Sequence, residues 1–428
     1  MAPMIDGGDQ GLFLDRPALP SHALIDSLRS NNSGGLKMRR ALVTIGLLVS
    51  LLLAAAGRAE EIVIGASLPL SGQLASFGAF QRWGYEHAVA EVNHAGGIAI
   101  GGKFLPVRLE IRDDKSDANI SAGNVENLIS RDHAAALLGS CTPALVSAGA
   151  LVAERHRLPM VTGCDPRRAF TSAHPWKYVW DVFFDEAELA AAPFKALADA
   201  HVTTNRKVAI LHDNGPDGQV VGGELWPELA RTYGLTVVVS TSFPVDNTQF
   251  TSIIADAKAK GAEIMLVDAI TPQAVAIRKQ IATAGYHPRV LVIEKGAEPA
   301  QFGGGLGALA DGVMVGGYWD SSFPYPGARD LLMAYERETH QRGSQHIADS
   351  YAATKVLLAA LATAGSVGGE AINATIAKTN ATFVVGPVRF DAQHFAPLPI
   401  VEVQWQQGRT VVVWPAKAAT GKLLFPIP

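Results

Sequence analysis

An α/β fold built as two doubly wound lobes is what this chain predicts, and three observations predict it. Short β-type runs alternate with helical patterns, the alternation starts twice, and the chain behind an N-terminal export signal is too long for one core. Of 428 residues 48% are hydrophobic, so the roughly 370 residues of mature chain carry apolar surface enough for two compact units.

The first series opens with residues 62–66 as a buried strand. Residues 80–95 then place Trp83, Ala88 and Val92 at helical spacing before a Gly96-Gly97 stop. Residues 107–111, 135–138 and 160–161 are further strands, with a helical stretch at 120–131. The second series has strands at 208–211, 236–239, 264–267 and 290–293, separated by helical patterns at 220–233, 250–260 and 272–284. The tail differs. Residues 329–342 and 347–363 read as long helices, and 386–390, 400–405 and 410–414 alternate like antiparallel strands, with Gln406-Gln407-Gly408-Arg409 as a hairpin turn. Gly303-Gly304-Gly305-Leu306-Gly307 has neither phosphate-loop nor dinucleotide spacing and reads as a loop.

Met38-Arg39-Arg40 is a short basic start, residues 41–56 are an uncharged apolar run, and Gly57-Arg58-Ala59 offers small residues for cleavage ahead of Glu60. The run is shorter than the ~20 residues that span a bilayer. No cysteine stands at the cleavage point, so a cleaved signal peptide over 38–59 is expected rather than an anchor or a lipoprotein. Residues 1–37 fit no signal peptide and read as an upstream start or a disordered leader. Without residues 1–59 the chain loses 6 of 36 Lys and Arg and 4 of 40 Asp and Glu, which leaves a formal charge of −6. A mildly acidic exported protein is a poor nucleic-acid binder, and no other apolar run of spanning length is evident.

The order of features resembles the type I periplasmic solute-binding proteins, in particular the branched-chain amino acid (Leu/Ile/Val) receptor group of ABC importers. The resemblance is carried by Ile64-Gly65-Ala66 with Pro69-Leu70-Ser71-Gly72, then Phe77-Gly78, Gly84, Ala88, Glu91-Val92-Asn93, Gly96-Gly97-Ile98 and Asp113-Asp114. Further on it rests on Gly139-Ser140, Leu158-Pro159-Met160-Val161, Ser350-Tyr351-Ala352-Ala353 and Gly386-Pro387-Val388-Arg389-Phe390-Asp391. It implies two Rossmann-like lobes of a Venus flytrap joined by a three-crossing hinge, near Trp180-Asp181, Gly317-Tyr318-Trp319 and Ala396-Pro397. Lobe 1 is then 60–181 plus 317–396, and lobe 2 is 182–316 plus 397–428. It also implies a periplasmic monomer that closes on a small amino acid or carboxylate and docks on an ABC permease in the inner membrane. The alternative is the same fold sensing a ligand in signalling, without transport.

Ligands of open α/β sheets sit beyond the carboxyl ends of strands, where helix N-termini offer free N–H groups. Strand 135–138 ends in Gly139-Ser140-Cys141-Thr142-Pro143, where Thr142 can cap the next helix and Pro143 take its first position. This is a carboxylate site in which Ser140 or Thr142 supplies the hydroxyl, or else a solvated cap. The resemblance places an ammonium contact at Thr162-Gly163-Cys164-Asp165-Pro166, but Pro166 replaces a usual threonine, and Asp165 is either a substitute acceptor or part of a helix start neutralised by Arg167 or Arg168. Phe77 fits an aromatic wall, Asp217 and Ile270 stand where tyrosines are usual, and Lys295 with Glu294 occupies the neighbourhood of a glutamate that reaches the ammonium. These departures put the ligand in doubt and favour one with an extra acid group or without an amine. Trp180, Phe183 and Phe184 either stack on a planar ligand or fill the core.

Cys141 and Cys164 follow neighbouring strands, both at the carboxyl ends, so a bridge between them is the expectation in an oxidising compartment and two free thiols the alternative. No nucleophile elbow and no HExxH occurs, and the 12 histidines are scattered without ligand spacing. Neither an enzyme, a metal site nor a cofactor is expected. Asp213 to Gly218 lacks the ligand series of a calcium loop and reads as a loop lining the cleft.

Overall fold

The computed structural model describes residues 60–428, and the predicted leader and signal peptide lie outside them. Seventeen strands are present among the described residues: β1 Ile62–Leu68, β2 Ile98–Ile100, β3 Lys103–Leu105, β4 Val107–Asp113, β5 Ala136–Leu138, β6 Met160–Thr162, β7 Val179–Phe183, β8 Lys207–Asp213, β9 Thr236–Phe243, β10 Ile264–Ala269, β11 Val290–Lys295, β12 Met314–Gly317, β13 Asn380–Phe383, β14 Gly386–Arg389, β15 Phe395–Pro397, β16 Val401–Gln406 and β17 Arg409–Trp414. They form two main sheets, β15-β7-β6-β5-β1-β4 and β17-β16-β12-β11-β10-β8-β9, and two small hairpins, β2-β3 and β13-β14.

Every pairing in the six-stranded sheet is parallel. Such strands are covered on both faces, and β1 accordingly buries all seven of its residues, Ile62 to Leu68. In the seven-stranded sheet the pairs from β9 to β12 are parallel, and β16 then joins β12 antiparallel and turns into β17. The chain leaves the first sheet after β7, returns to it after β12, and crosses again between Pro397 and Val401.

Helices α1 Ala75–His94, α2 Ala118–Ser130, α3 Pro143–His156 and α4 Arg167–Ala173 lie within the first series, and α5 Glu186–Asp199 follows β7. Between β8 and β9 a short α6 Pro216–Gly218 runs through a π-turn at Gln219–Leu225 into α7 Trp226–Thr232. The second series adds α8 Thr251–Ala259, α9 Thr271–Thr283 and α10 Ala300–Leu306, and the tail α11 Ala328–Thr339, α12 Gln345–Ala364 and α13 Gly369–Ile376. Contrary to the sequence reading, α12 is long and apolar enough to cross a membrane. Its thirteen buried residues show why it need not: Ile347, Val356, Leu357 and Leu361 pack in the core of the first sheet.

The glycine run expected as a loop is instead α10. A side chain at Gly303 would strike the Trp405 ring at 2.3 Å, so glycine there lets the helix lie directly on the indole. Phe302 and Leu306 anchor the same helix in the core. Trp180, by contrast, belongs to the core: it stacks on His394 at 3.6 Å, and its indole N–H donates to Asn373 at 2.7 Å.

Candidate functional site

The carboxyl ends of both sheets face one cleft. Of the residues singled out in sequence, Phe77, Cys141, Thr142, Cys164, Phe183, Asp217, Glu294 and Lys295 line it. Ile270 lines a neighbouring cavity, to which Thr142, Asp217 and Lys295 also contribute. Two candidates are elsewhere. The Ser140 hydroxyl donates to Asp114 Oδ2 at 2.8 Å and is spent on the core. Asp165 is fully buried with neither oxygen partnered, and Pro166 takes its place on the wall. Burial, with Glu186 and Asp217 adding to it, pushes the Asp165 carboxyl well up, so it is no acceptor for a ligand ammonium.

Thr142 begins α3 ahead of Pro143, yet its side chain makes no capping bond. Its φ of 73° explains this, because a capping residue ordinarily sits in the β region, from which its side chain reaches the amides of the first turn. The hydroxyl therefore stays free for the cleft beside the α3 N-terminus. The adjacent wall is fixed covalently: Cys141 and Cys164 are bonded, with Cα atoms 4.8 Å apart, and the Thr142 amide donates to the Cys164 carbonyl at 3.1 Å. Replacing both cysteines by alanine is expected to cost about 2–4 kcal/mol of unfolding free energy, measured by denaturant titration of the oxidised protein. Equal stability of variant and wild type would remove the bridge from the fold's support.

Lys295 is the centre of a charge cluster. Its φ of 64° turns the side chain back over the sheet end, where Nζ meets Asp213 at 2.7 Å, Asp217 at 2.9 Å and Asp268 at 2.9 Å. Burial alone would push the ammonium down, but the three carboxylates overcome it and hold the ammonium well above the usual lysine range. Asp268 is raised to about 7 by burial against the opposing pull of Lys295. Glu294, raised to about 8 by burial, accepts from the Gly316 amide at 2.9 Å and keeps its other oxygen without a partner.

Sequence reasoning missed the second charged group, His346. Its ring meets Asp349 at 2.8 Å through Nδ1 and Glu298 at 3.0 Å through Nε2. Burial opposes the imidazolium, but these carboxylates outweigh it and raise the pKa to about 10. Tyr318 donates to Asp349 at 2.5 Å, and Phe77 meets the histidine edge-on at 5.0 Å. Phe184, named in sequence with Phe183 as able to stack on a planar ligand, also lines the cleft, as do Leu189, Val221 and Gln345, which the sequence did not single out. Donor atoms of Cys141, Cys164 and His346 lie within 4.8 Å of one another, but the two sulfurs are joined in the bridge and offer no thiolate to a metal.

Residues 61–410 match the family described as periplasmic binding protein. A Leu/Ile/Val-binding protein homolog 8 of Brucella abortus is 26% identical over 393 residues, covering 85% of this chain and 93% of the relative. Among solved structures, the branched-chain amino acid transporter substrate-binding protein of Streptococcus pneumoniae, in complex with isoleucine, superposes with a TM-score of 0.74 at 21% identity, covering 83% of this chain and 100% of that one. An ABC-transporter solute-binding protein of R. palustris, in complex with benzoate, gives 0.71 at 17% identity, covering 86% and 98%. The two parallel sheets with a cleft at their carboxyl ends and the match over most of the chain agree: this chain belongs to the periplasmic binding protein family and has its type I fold.

Proposed function

We propose that the exported chain captures a small carboxylate, an amino acid or a related organic acid, between its two sheets and hands it to the permease of an ABC importer. The observation that carries the reading is the uncapped Thr142 at the start of α3, on the cleft, where a hydroxyl and a helix N-terminus favour an anionic end. The His346 imidazolium on the same wall, 3.9 Å from Cys164 Sγ, adds a second positive group. Phe77, Phe183, Phe184 and Tyr318 supply an apolar wall for a hydrocarbon or aromatic body. The complexes of related folds with isoleucine and with benzoate are of this chemical kind. The three crossings between the sheets serve as the hinge of closure, with the lobes divided at them as the sequence suggests, and no step of chemistry is assigned to the cleft.

A calorimetric and thermal-shift panel of aliphatic and aromatic amino acids, aromatic acids and dicarboxylic acids is expected to give binding that raises the melting temperature. Binding only of sugars, metal ions or uncharged amides would overturn the carboxylate reading. Thr142→Val should weaken the bound acid about ten- to a hundredfold through loss of one hydrogen bond to a charged group. An unchanged Kd in that variant would remove Thr142 from the site.

A further inference from the structure

Strand register places Asp268, Glu294, Gly316 and Glu402 in one row across four adjacent strands of the second sheet. Asp268 pairs with Glu294, Val292 with Met314 two residues earlier on each strand, and Gly316 with Glu402. Residues in one such row project from the same face. Glu294 and Glu402 therefore stand about 10 Å apart at the backbone, on either side of a glycine, a span that two glutamate side chains are long enough to bridge. The gap needs the glycine. A Cβ at Gly316 would strike Leu189 of α5 at 2.3 Å and Glu294 Oε2 at 2.9 Å.

Glu402 is completely buried, and neither of its oxygens has a partner. Glu294 is 1% exposed, lines the cleft, and leaves Oε1 unpartnered. The groups around them carry little relief. From β10 comes Asp268, and from β11 Lys295, whose ammonium is already shared with Asp213 of β8 and Asp217 of α6. His212 of β8 bonds the Asp213 carbonyl, Glu186 of α5 accepts from the Arg168 and Ala169 amides, and His346 is held by Glu298 and Asp349. No cation among the described residues meets Glu402 within 4 Å.

We infer that Glu402 is a positioning residue that stays protonated and donates to Glu294 across Gly316, so that Glu294 gives up its own proton to receive a cationic group of the ligand. The inference rests on the proposed capture of a ligand in this cleft and deepens it. Proton bookkeeping closes: the pair holds two protons when free and one when the ammonium of an amino acid is bound, and the other leaves to solvent. A plain acid makes no such demand on Glu294. Uptake of an amino acid is thus coupled to proton release, and uptake of an organic acid is not. Burial raises both carboxyls, with Glu402 pushed further by Glu294, in keeping with this order of titration.

Calorimetry of the full mature chain with L-leucine, L-phenylalanine and benzoate, in buffers of different ionisation enthalpy, measures the released proton directly. About one proton per bound amino acid at neutral pH is expected, with affinity rising about tenfold per pH unit below the titration of Glu294, and none for benzoate. Glu402→Leu should weaken amino acid binding about ten- to a hundredfold near neutral pH, while Glu402→Gln, whose amide still donates, restores it. Amino acid binding without proton release, or Gln as damaging as Leu, would overturn the role.

The ligand-free protein supplies an independent arm. Carboxyls raised in the fold stabilise it below their unfolded values and lose that contribution as pH rises through the folded ones. Melting temperature should therefore fall less steeply between pH 5 and about 8 in both Glu402 variants than in wild type. Superimposed profiles would show that Glu402 is not protonated in the fold and sink the pair. If neither amino acid binds, the ligand-linked half falls while the proposed function stands on the other acids of its panel, and the melting profiles still decide the pair.

Discussion

Lys295→Met is expected to destabilise the protein by about 3–5 kcal/mol at neutral pH, because it strands carboxylates that meet no other cation among the described residues. An exposed ion pair is worth less than about 1 kcal/mol, but this one is not exposed: the Lys295 side chain is 13% accessible and that of Asp213 1%. Removing the ammonium leaves three carboxylates at one sheet end, and they can escape only by taking up protons. Asp268, already raised to about 7 by burial, would rise further. A carboxyl raised in the fold adds stability at low pH and loses it as pH rises through its folded pKa. The deficit of the variant should therefore be largest above about pH 7 and shrink towards pH 4. Denaturant unfolding of wild type and variant across that range measures it, and a small deficit independent of pH would show that solvent already screens the cluster.

Trp405→Ala should cost about as much, roughly 3–5 kcal/mol, by a different route. The indole is 3% exposed, lies against Gly303 and Phe302, and donates to the Ala297 carbonyl at 2.7 Å. Truncation opens a cavity under α10 and leaves that carbonyl unpaired. Trp405→Phe keeps most of the ring volume and loses the donor, so about 1–3 kcal/mol is expected. If alanine and phenylalanine cost the same in chemical unfolding, the hydrogen bond rather than the packing holds α10, and the account of the glycine run fails.

The parallel sheets were legible because β1, β8, β10 and β11 are almost continuously buried, and a strand covered on both faces writes its position as an apolar run. Residues 303–307 misled because Gly303 packs on Trp405, a hundred residues away, and no local signal announces a helix in which a glycine serves a distant ring. The site divides the same way. Thr142, Glu294 and Lys295 follow strand ends and could be found by position alone. His346 stands at the start of a long apolar helix, and what makes it charged is Asp349 of that helix together with Glu298 from a segment nearly fifty residues away. Single-sequence reasoning sees spacing, whereas a buried cation is defined by partners gathered from afar. Asp165 failed in the opposite sense, since a carboxylate beside a strand end is visible in sequence but its complete enclosure is not.

The contact between His346 and Glu298 joins two halves of the molecule. Glu298 follows β11 of the second sheet, and His346 opens α12, which packs on the first; the Ser344 hydroxyl, just ahead of α12, donates to Glu298 as well. On the proposed hinge closure, this contact spans the two lobes and contributes to the shut form before any ligand arrives. Affinity in such a molecule is a product of two quantities, the ligand's own contacts and the resting bias of the jaws. Evolution can raise or lower the second at Glu298 without touching the surface that chooses among solutes, tuning how tightly the trap holds independently of what it catches.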